Sequence, residues 1–224
     1  MSQAIKFDSS RSLSSQRKIP PLENGDHLTR PEFERRYAAM PYLKKAELIE
    51  GVVYMPSPVR YEGHGRQHAE FSGWLVLYSA STPGVAVADN TTVRLDLDNE
   101  PQPDLLLRVI EDGQSQVATD GFLDGAPELV VEVASSSTAY DLHQKLDTYR
   151  RHGVREYIVW QTLDNIIDWF VLREGWYEHL LPEAGGVYKS EVFPGLWLNS
   201  TAMTQGDLAT VFSVLREGLA TSEH

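Results

Sequence analysis

The stretch Pro127–Tyr149, PELVVEVASSSTAYDLHQKLDTY, constrains the fold more than any other. Its first half, Glu128–Val133, is a near-continuous apolar run carrying a carboxylate at Glu132. Val130, Val131 and Val133 are β-branched and favour a strand. A strand this apolar is normally covered on both faces. A charge inside it is costly unless it is paired or bound to a metal. Glu132 therefore predicts a partner.

The second half predicts a helix. Ser135–Ser136–Ser137–Thr138 suits an N-cap, and Asp141 falls in the first turn, where the helix dipole favours an anion. Leu142, Leu146 and Tyr149 recur at helical spacing and are expected to form the buried face, flanked by Lys145. Asp141 and Lys145 are four apart and adjacent on the surface. Upstream, Gln102–Pro103–Asp104 opens a second apolar run, Leu105–Leu107. Two acids on buried strands can share a divalent cation. A nearby lysine can neutralise developing negative charge or orient a water. Together these are the working parts of a metal-dependent phosphodiesterase.

The motifs in order resemble the PD-(D/E)XK nuclease superfamily. They are most similar to its Uma family of restriction-endonuclease-like proteins, a family of largely unknown function. The residues that carry the likeness are Glu47–Leu48–Ile49–Glu50–Gly51, Ser57–Pro58 with His64, Pro103–Asp104, the strand ending Glu132–Val133, Asp141 with Lys145 and Tyr149, and Gly153–Val154–Arg155–Glu156–Tyr157. As an ordered set they are specific; singly each is weak. The likeness covers roughly residues 29–198. It implies an α/β fold, a mixed central sheet flanked by helices of restriction-endonuclease type. It implies Glu50, Asp104, Glu132 and Lys145 as catalytic residues, with His64, Asp141 and Gln144 in support. Mg²⁺ or Mn²⁺ would be held by Asp104, Glu132 and the Val133 carbonyl. It further implies nucleic acid, DNA foremost, as substrate, and a homodimer. The superfamily's usual lysine position, two after the second acid, is Ala134 here, so the likeness places the lysine at Lys145.

Composition bears on these expectations in both directions. The chain of 224 residues is 42% hydrophobic, enough for one domain with tails, and has a formal charge of −12. That balance is awkward for holding nucleic acid by general electrostatics. It leaves room for a local basic groove or for charge reversal by bound metal. Zero cysteines suits a reducing cytoplasm. No apolar run approaches the roughly 18 residues of a membrane span. A non-catalytic scaffold that keeps the fold is the alternative from another class; a small-molecule phosphoesterase is a third. For Asp104 and Glu132 the bland alternative is a core charge pair bridged to Lys145. Even so, two carboxylates and one lysine leave a net negative charge that calls for a cation or a shared proton.

The rest of the chain reads more quietly. Residues 1–28 are polar and Ser-rich and are expected to form a flexible arm, followed by the domain at 29–198 and a C-terminal helix and tail at 199–224. Thr29–Glu32 has the spacing of a helix start. Ala46–Met55 reads as a strand or hairpin around Gly51, and Tyr61–Ser79 as a helix. His64 and His68 lie four apart, a spacing that can hold a metal, although helix-start histidines are usually surface residues. Glu111–Asp124 reads as a polar loop near the site. Three strands from Glu156 to Leu181 are expected as an antiparallel meander, and Met203–Leu219 as a last helix packed outside the core or on a partner.

Overall fold

The computed structural model describes residues 18–56, 58–135 and 138–224. Ser57, Ser136 and Ser137, together with residues 1–17 of the expected arm, lie outside that range. The strands, in chain order, are β1 (Glu47–Ile49), β2 (Val52–Tyr54), β3 (Val85–Asp89), β4 (Val93–Arg94), β5 (Leu105–Val109), β6 (Gln116–Val117), β7 (Leu123–Asp124), β8 (Leu129–Ala134), β9 (Glu156–Gln161), β10 (Ile166–Arg173), β11 (Trp176–His179), β12 (Val187–Lys189) and β13 (Trp197–Asn199). The helices are α1 (Arg30–Ala38), α2 (Arg66–Ser81), α3 (Thr138–Tyr140), α4 (Leu146–Arg151), α5 (Ser200–Gln205) and α6 (Leu208–Leu219).

A six-stranded sheet in the order β11-β10-β9-β8-β5-β3 forms the centre. β8 and β9 are parallel and the other neighbours antiparallel, so the sheet is mixed and flanked by helices, as in restriction endonucleases. Side chains of β8 alternate between its faces. Leu129, Val131 and Val133 join Phe71, Trp74, Leu75 and Tyr78 of α2 and Val211 and Leu215 of α6. Val130 and Ala134 join Tyr149, Tyr157 and Phe170 on the other face. Glu132, between them, is thereby aimed at the α4 side.

β8 also parts company with one neighbour. Its pairing with β5 ends at Leu105↔Val131, whereas its pairing with β9 runs on to Ala134↔Gln161. Asp104 enters at this fork, one residue before β5.

Several expectations are refined. Tyr61–Gly65 is a wide turn with Gly63 at φ +88°, and the regular helix starts only at Arg66. The inward face of the later helix is Asp141, Lys145, Thr148 and Tyr149, with Leu142 and Leu146 only half-buried against the sheet. A π-type turn over Asp141–Lys145 brings the charged pair inward, where Glu132 offers a counter-charge. The Glu111–Asp124 segment contains β6 and β7, which pair with each other, β7 also pairing with β4. The last helix is two, because Gly206 at φ +75° closes α5 and the Asp207 side chain accepts from the Thr210 N–H to start α6. α6 is part of the core, not an outrigger. Residues Leu22 to Leu28, expected in the arm, pack on the β1–β2 hairpin: Leu22 is buried with Phe33 and Val53, and Gly25 and Leu28 donate to Val53 and Gly51.

Candidate active site

Asp104 and Glu132 come together at the fork with two lysines and two further acids. Asp104 Oδ2 accepts the Val133 N–H at 2.9 Å. Its Oδ1 lies 3.2 Å from Lys45 Nζ and 3.8 Å from His64 Nε2. The other His64 ring nitrogen, Nδ1, is 2.9 Å from the Val133 carbonyl. His64 thus spans the main chain of one acid's neighbour and the side chain of the other acid. His68 lies 3.2 Å from the Asp104 carbonyl and 3.1 Å from Asp89, so the two histidines do not form a metal pair of their own.

Glu132, 3% exposed, accepts from Lys145 Nζ at 2.9 Å and from the Tyr149 hydroxyl at 3.0 Å. Lys145, 2% exposed, is also 2.9 Å from Glu47 and 3.8 Å from Asp141. Glu47 accepts the Gln102 N–H at 2.7 Å, which joins the first hairpin to the segment carrying Asp104. Four buried carboxyls, Glu47, Asp104, Glu132 and Asp141, thus face two ammonium groups.

The electrostatics follow from that imbalance. Burial, with Asp104, Asp141 and Glu47 nearby, pushes Glu132 up despite Lys145. Burial opposes the charged form of Lys145, yet Glu132, Glu47 and Asp141 lift it well above its ordinary value. Asp104 goes the other way: burial works against its ionisation, but Lys45, His64, Lys145 and the Val133 N–H hold it below the usual range.

Among the described residues no three His, Asp or Glu side chains form a ready-made cation cage. The donor chemistry nevertheless fits a hard divalent ion. The site offers carboxylates and a main-chain carbonyl with excess negative charge, and Mg²⁺ commonly uses one or two carboxylates while keeping waters.

Two expected residues lie elsewhere. Glu50 sits in the hairpin turn at φ +53°, exposed, paired with Arg151 and accepting from Thr148 Oγ1 at 3.2 Å. Glu47, three residues earlier on β1, is the acid of that motif that reaches the site. Gln144 is exposed and accepts from the Tyr54 hydroxyl at 2.8 Å, outside the carboxylate group. Sequence reasoning missed Glu47, Lys45 and the role of Tyr149. The Glu50–Gly51 pair was itself a signal, since an acid before glycine between short apolar runs marks a hairpin turn.

Comparison with known proteins fits this geometry. Residues 30–201 match the Uma2 family model, described as "Putative restriction endonuclease". The chain belongs to the Uma2 family. Its fold is similar to that of a solved protein from Anabaena variabilis described as "a putative nuclease belonging to DUF820", with a TM-score of 0.55 at 13% identity over 81% of this chain and 97% of that one. At that identity the likeness concerns the fold. No curated protein matches the chain. In this Uma2 protein the motif acids and lysine reach one place from four separate segments: the first hairpin, the entry to β5, β8 and the turn before α4.

Proposed function

We propose that this Uma2 protein is a divalent-cation-dependent endonuclease that hydrolyses phosphodiester bonds of nucleic acid, DNA foremost. The observation that supports it is the buried excess of carboxyls over ammonium groups at the β5–β8 fork. Asp104, Glu132 and the Val133 carbonyl would hold Mg²⁺ or Mn²⁺. When bound, such an ion supplies Lewis-acid polarisation of the phosphate and acidifies a bound water.

The chain's own residues prepare that chemistry. The Val133 N–H fixes the Asp104 carboxylate. Lys145 and the Tyr149 hydroxyl fix Glu132, and Lys145 ties Glu47 to the same group. His64 holds its ring against both the Val133 carbonyl and Asp104, fixing two donors relative to each other. Asp141 adds negative charge beside Lys145. Double-strand cutting would use a homodimer acting in the cytoplasm.

Cleavage of single-stranded, double-stranded and supercoiled DNA, and of RNA, with Mg²⁺ or Mn²⁺ tests the proposal, with chelator and Glu132→Ala as controls. Cleavage abolished by both supports it. The −12 net charge favours a second reading, a non-catalytic partner-binding relative. Partner or oligomer binding indifferent to chelator and to Glu132→Ala, with no cleavage, would replace the first reading by the second.

A further inference from the structure

The two lysines of the site differ in what they have left to give. An ammonium group has three donors and no acceptor. Lys145 Nζ is surrounded by Glu132 and Glu47 at 2.9 Å each and Asp141 at 3.8 Å, and its side chain is 3% exposed. A substrate oxygen could reach it only by displacing a carboxylate that it neutralises. Lys45 is the opposite case. Its carboxylate contact is Asp104 Oδ1 at 3.2 Å, supplemented by a long 3.4 Å contact to the Asn90 side chain. Its side chain is 22% exposed. It stands at the end of the loop Pro41–Lys45, beside exposed Lys44 and Tyr42. Lys45 therefore combines a place against the motif aspartate with donor capacity and access to solvent.

We propose that Lys45 is the lysine that contacts the scissile phosphate, donating to a non-bridging oxygen, while Lys145 is confined to positioning Glu47 and Glu132. The inference rests on the nuclease reading above. In the hydrolysis, water oxygen forms the new bond to phosphorus as the bond to the leaving oxygen breaks, and the proton the water gives up passes through solvent to the leaving oxygen; Lys45 transfers no proton and offsets charge that grows on the phosphoryl oxygens. It is a catalytic residue in this scheme, and Lys145 a positioning residue.

The test uses the full chain with Lys45→Met, Lys45→Ala, Lys45→Arg and Lys145→Met. Each is assayed for Mn²⁺-dependent DNA cleavage, for thermal stability, and for oligonucleotide binding across a salt series in Ca²⁺. Lys45→Met should melt within a few degrees of the parent and lose about 100-fold or more in kcat. Lys45→Arg should keep a measurable part of the rate, and added ethylamine should restore part of the Lys45→Ala rate. The salt slope of binding should fall by about one for Lys45→Met and not for Lys145→Met. A cleaving parent whose Lys45→Met variant keeps the parental kcat overturns the inference and leaves the nuclease reading standing. A parent that binds but does not cleave removes the nuclease reading and with it any scissile phosphate, leaving of the inference a phosphate contact by Lys45. The salt slope then decides whether Lys45 meets phosphate, an unchanged slope counting against it. Absence of oligonucleotide binding in the parent overturns both.

Discussion

Lys145 reaches Glu47 at 2.9 Å, so one ammonium group ties the helix after β8 to the first hairpin of the fold. The same nitrogen neutralises Glu132. Removing it strands buried carboxylates with no counter-charge. Lys145→Ala should therefore lower the unfolding free energy by about 3–5 kcal/mol, measured as a shift in urea midpoint. A loss below about 1 kcal/mol would mean that the acids carry protons in the folded chain and do not depend on the lysine.

Glu47 and Glu50 should separate cleanly by mutation. Glu47→Gln removes a charge facing Lys145 and should reduce cleavage by about 10-fold or more, as substitutions supporting a metal site do. Glu50→Asn should leave cleavage unchanged. It should also raise stability by about 0.5 kcal/mol, because a positive φ before Gly51 suits asparagine and an exposed ion pair contributes little. Melting temperature and initial cleavage rate of both variants decide the matter, and a dead Glu50→Asn enzyme would return Glu50 to the site.

Cation binding should depend on the two strand acids together. Mn²⁺ at 100 times its dissociation constant should stabilise the chain by about 2.7 kcal/mol, and chelator should reverse the gain. Asp104→Asn and Glu132→Gln should each abolish most of that gain. A thermal shift in either variant equal to the parent's would place the ion elsewhere.

Stability should also fall with rising pH through a group that answers to Glu34 and two arginines. Glu100 is 2% exposed, and burial, reinforced by Glu34 and opposed by Arg94 and Arg30, pushes it up from 4.5 to about 8. Between those values the folded chain holds a proton that the unfolded chain has released. This contribution is therefore complete below about pH 4.5, declines by at most about 1.4 kcal/mol per pH unit, and is gone above about pH 8. Glu100→Gln should flatten the pH dependence of the denaturation midpoint over that window; an unaltered slope would show that Glu100 is ionised throughout.

The sheet was largely legible because its strands advertise themselves. β8 is apolar but for Glu132, and the aromatic strands β9 to β11 form the expected antiparallel meander. Burial of an acid was less informative than it looked. Glu128, Glu132 and Glu156 are all almost fully buried. Glu128 is satisfied by the N–H groups of Val109 and Gln114, and Glu156 by those of Glu191 and Val192 and the Ser190 hydroxyl. Among the described residues, only Glu132 of the three meets a lysine. Sequence cannot separate a carboxylate that clamps a loop from one that serves a site, because the partner is main chain contributed by a distant segment. Lys45 was hidden for a similar reason. It lies in a polar loop with no periodicity, and its meeting with Asp104 depends on how the first hairpin docks on the sheet.

Val133 shows where a search by side-chain replacement would come up empty. Its side chain belongs to the core behind the sheet, while its amide and carbonyl serve Asp104 and His64 on the working side. Conservative exchange to isoleucine would disturb packing and leave that service intact. A mutational scan would accordingly score the position as structural. Only an alteration of the peptide linkage itself, such as an ester in place of the 132–133 amide, would expose what the residue contributes.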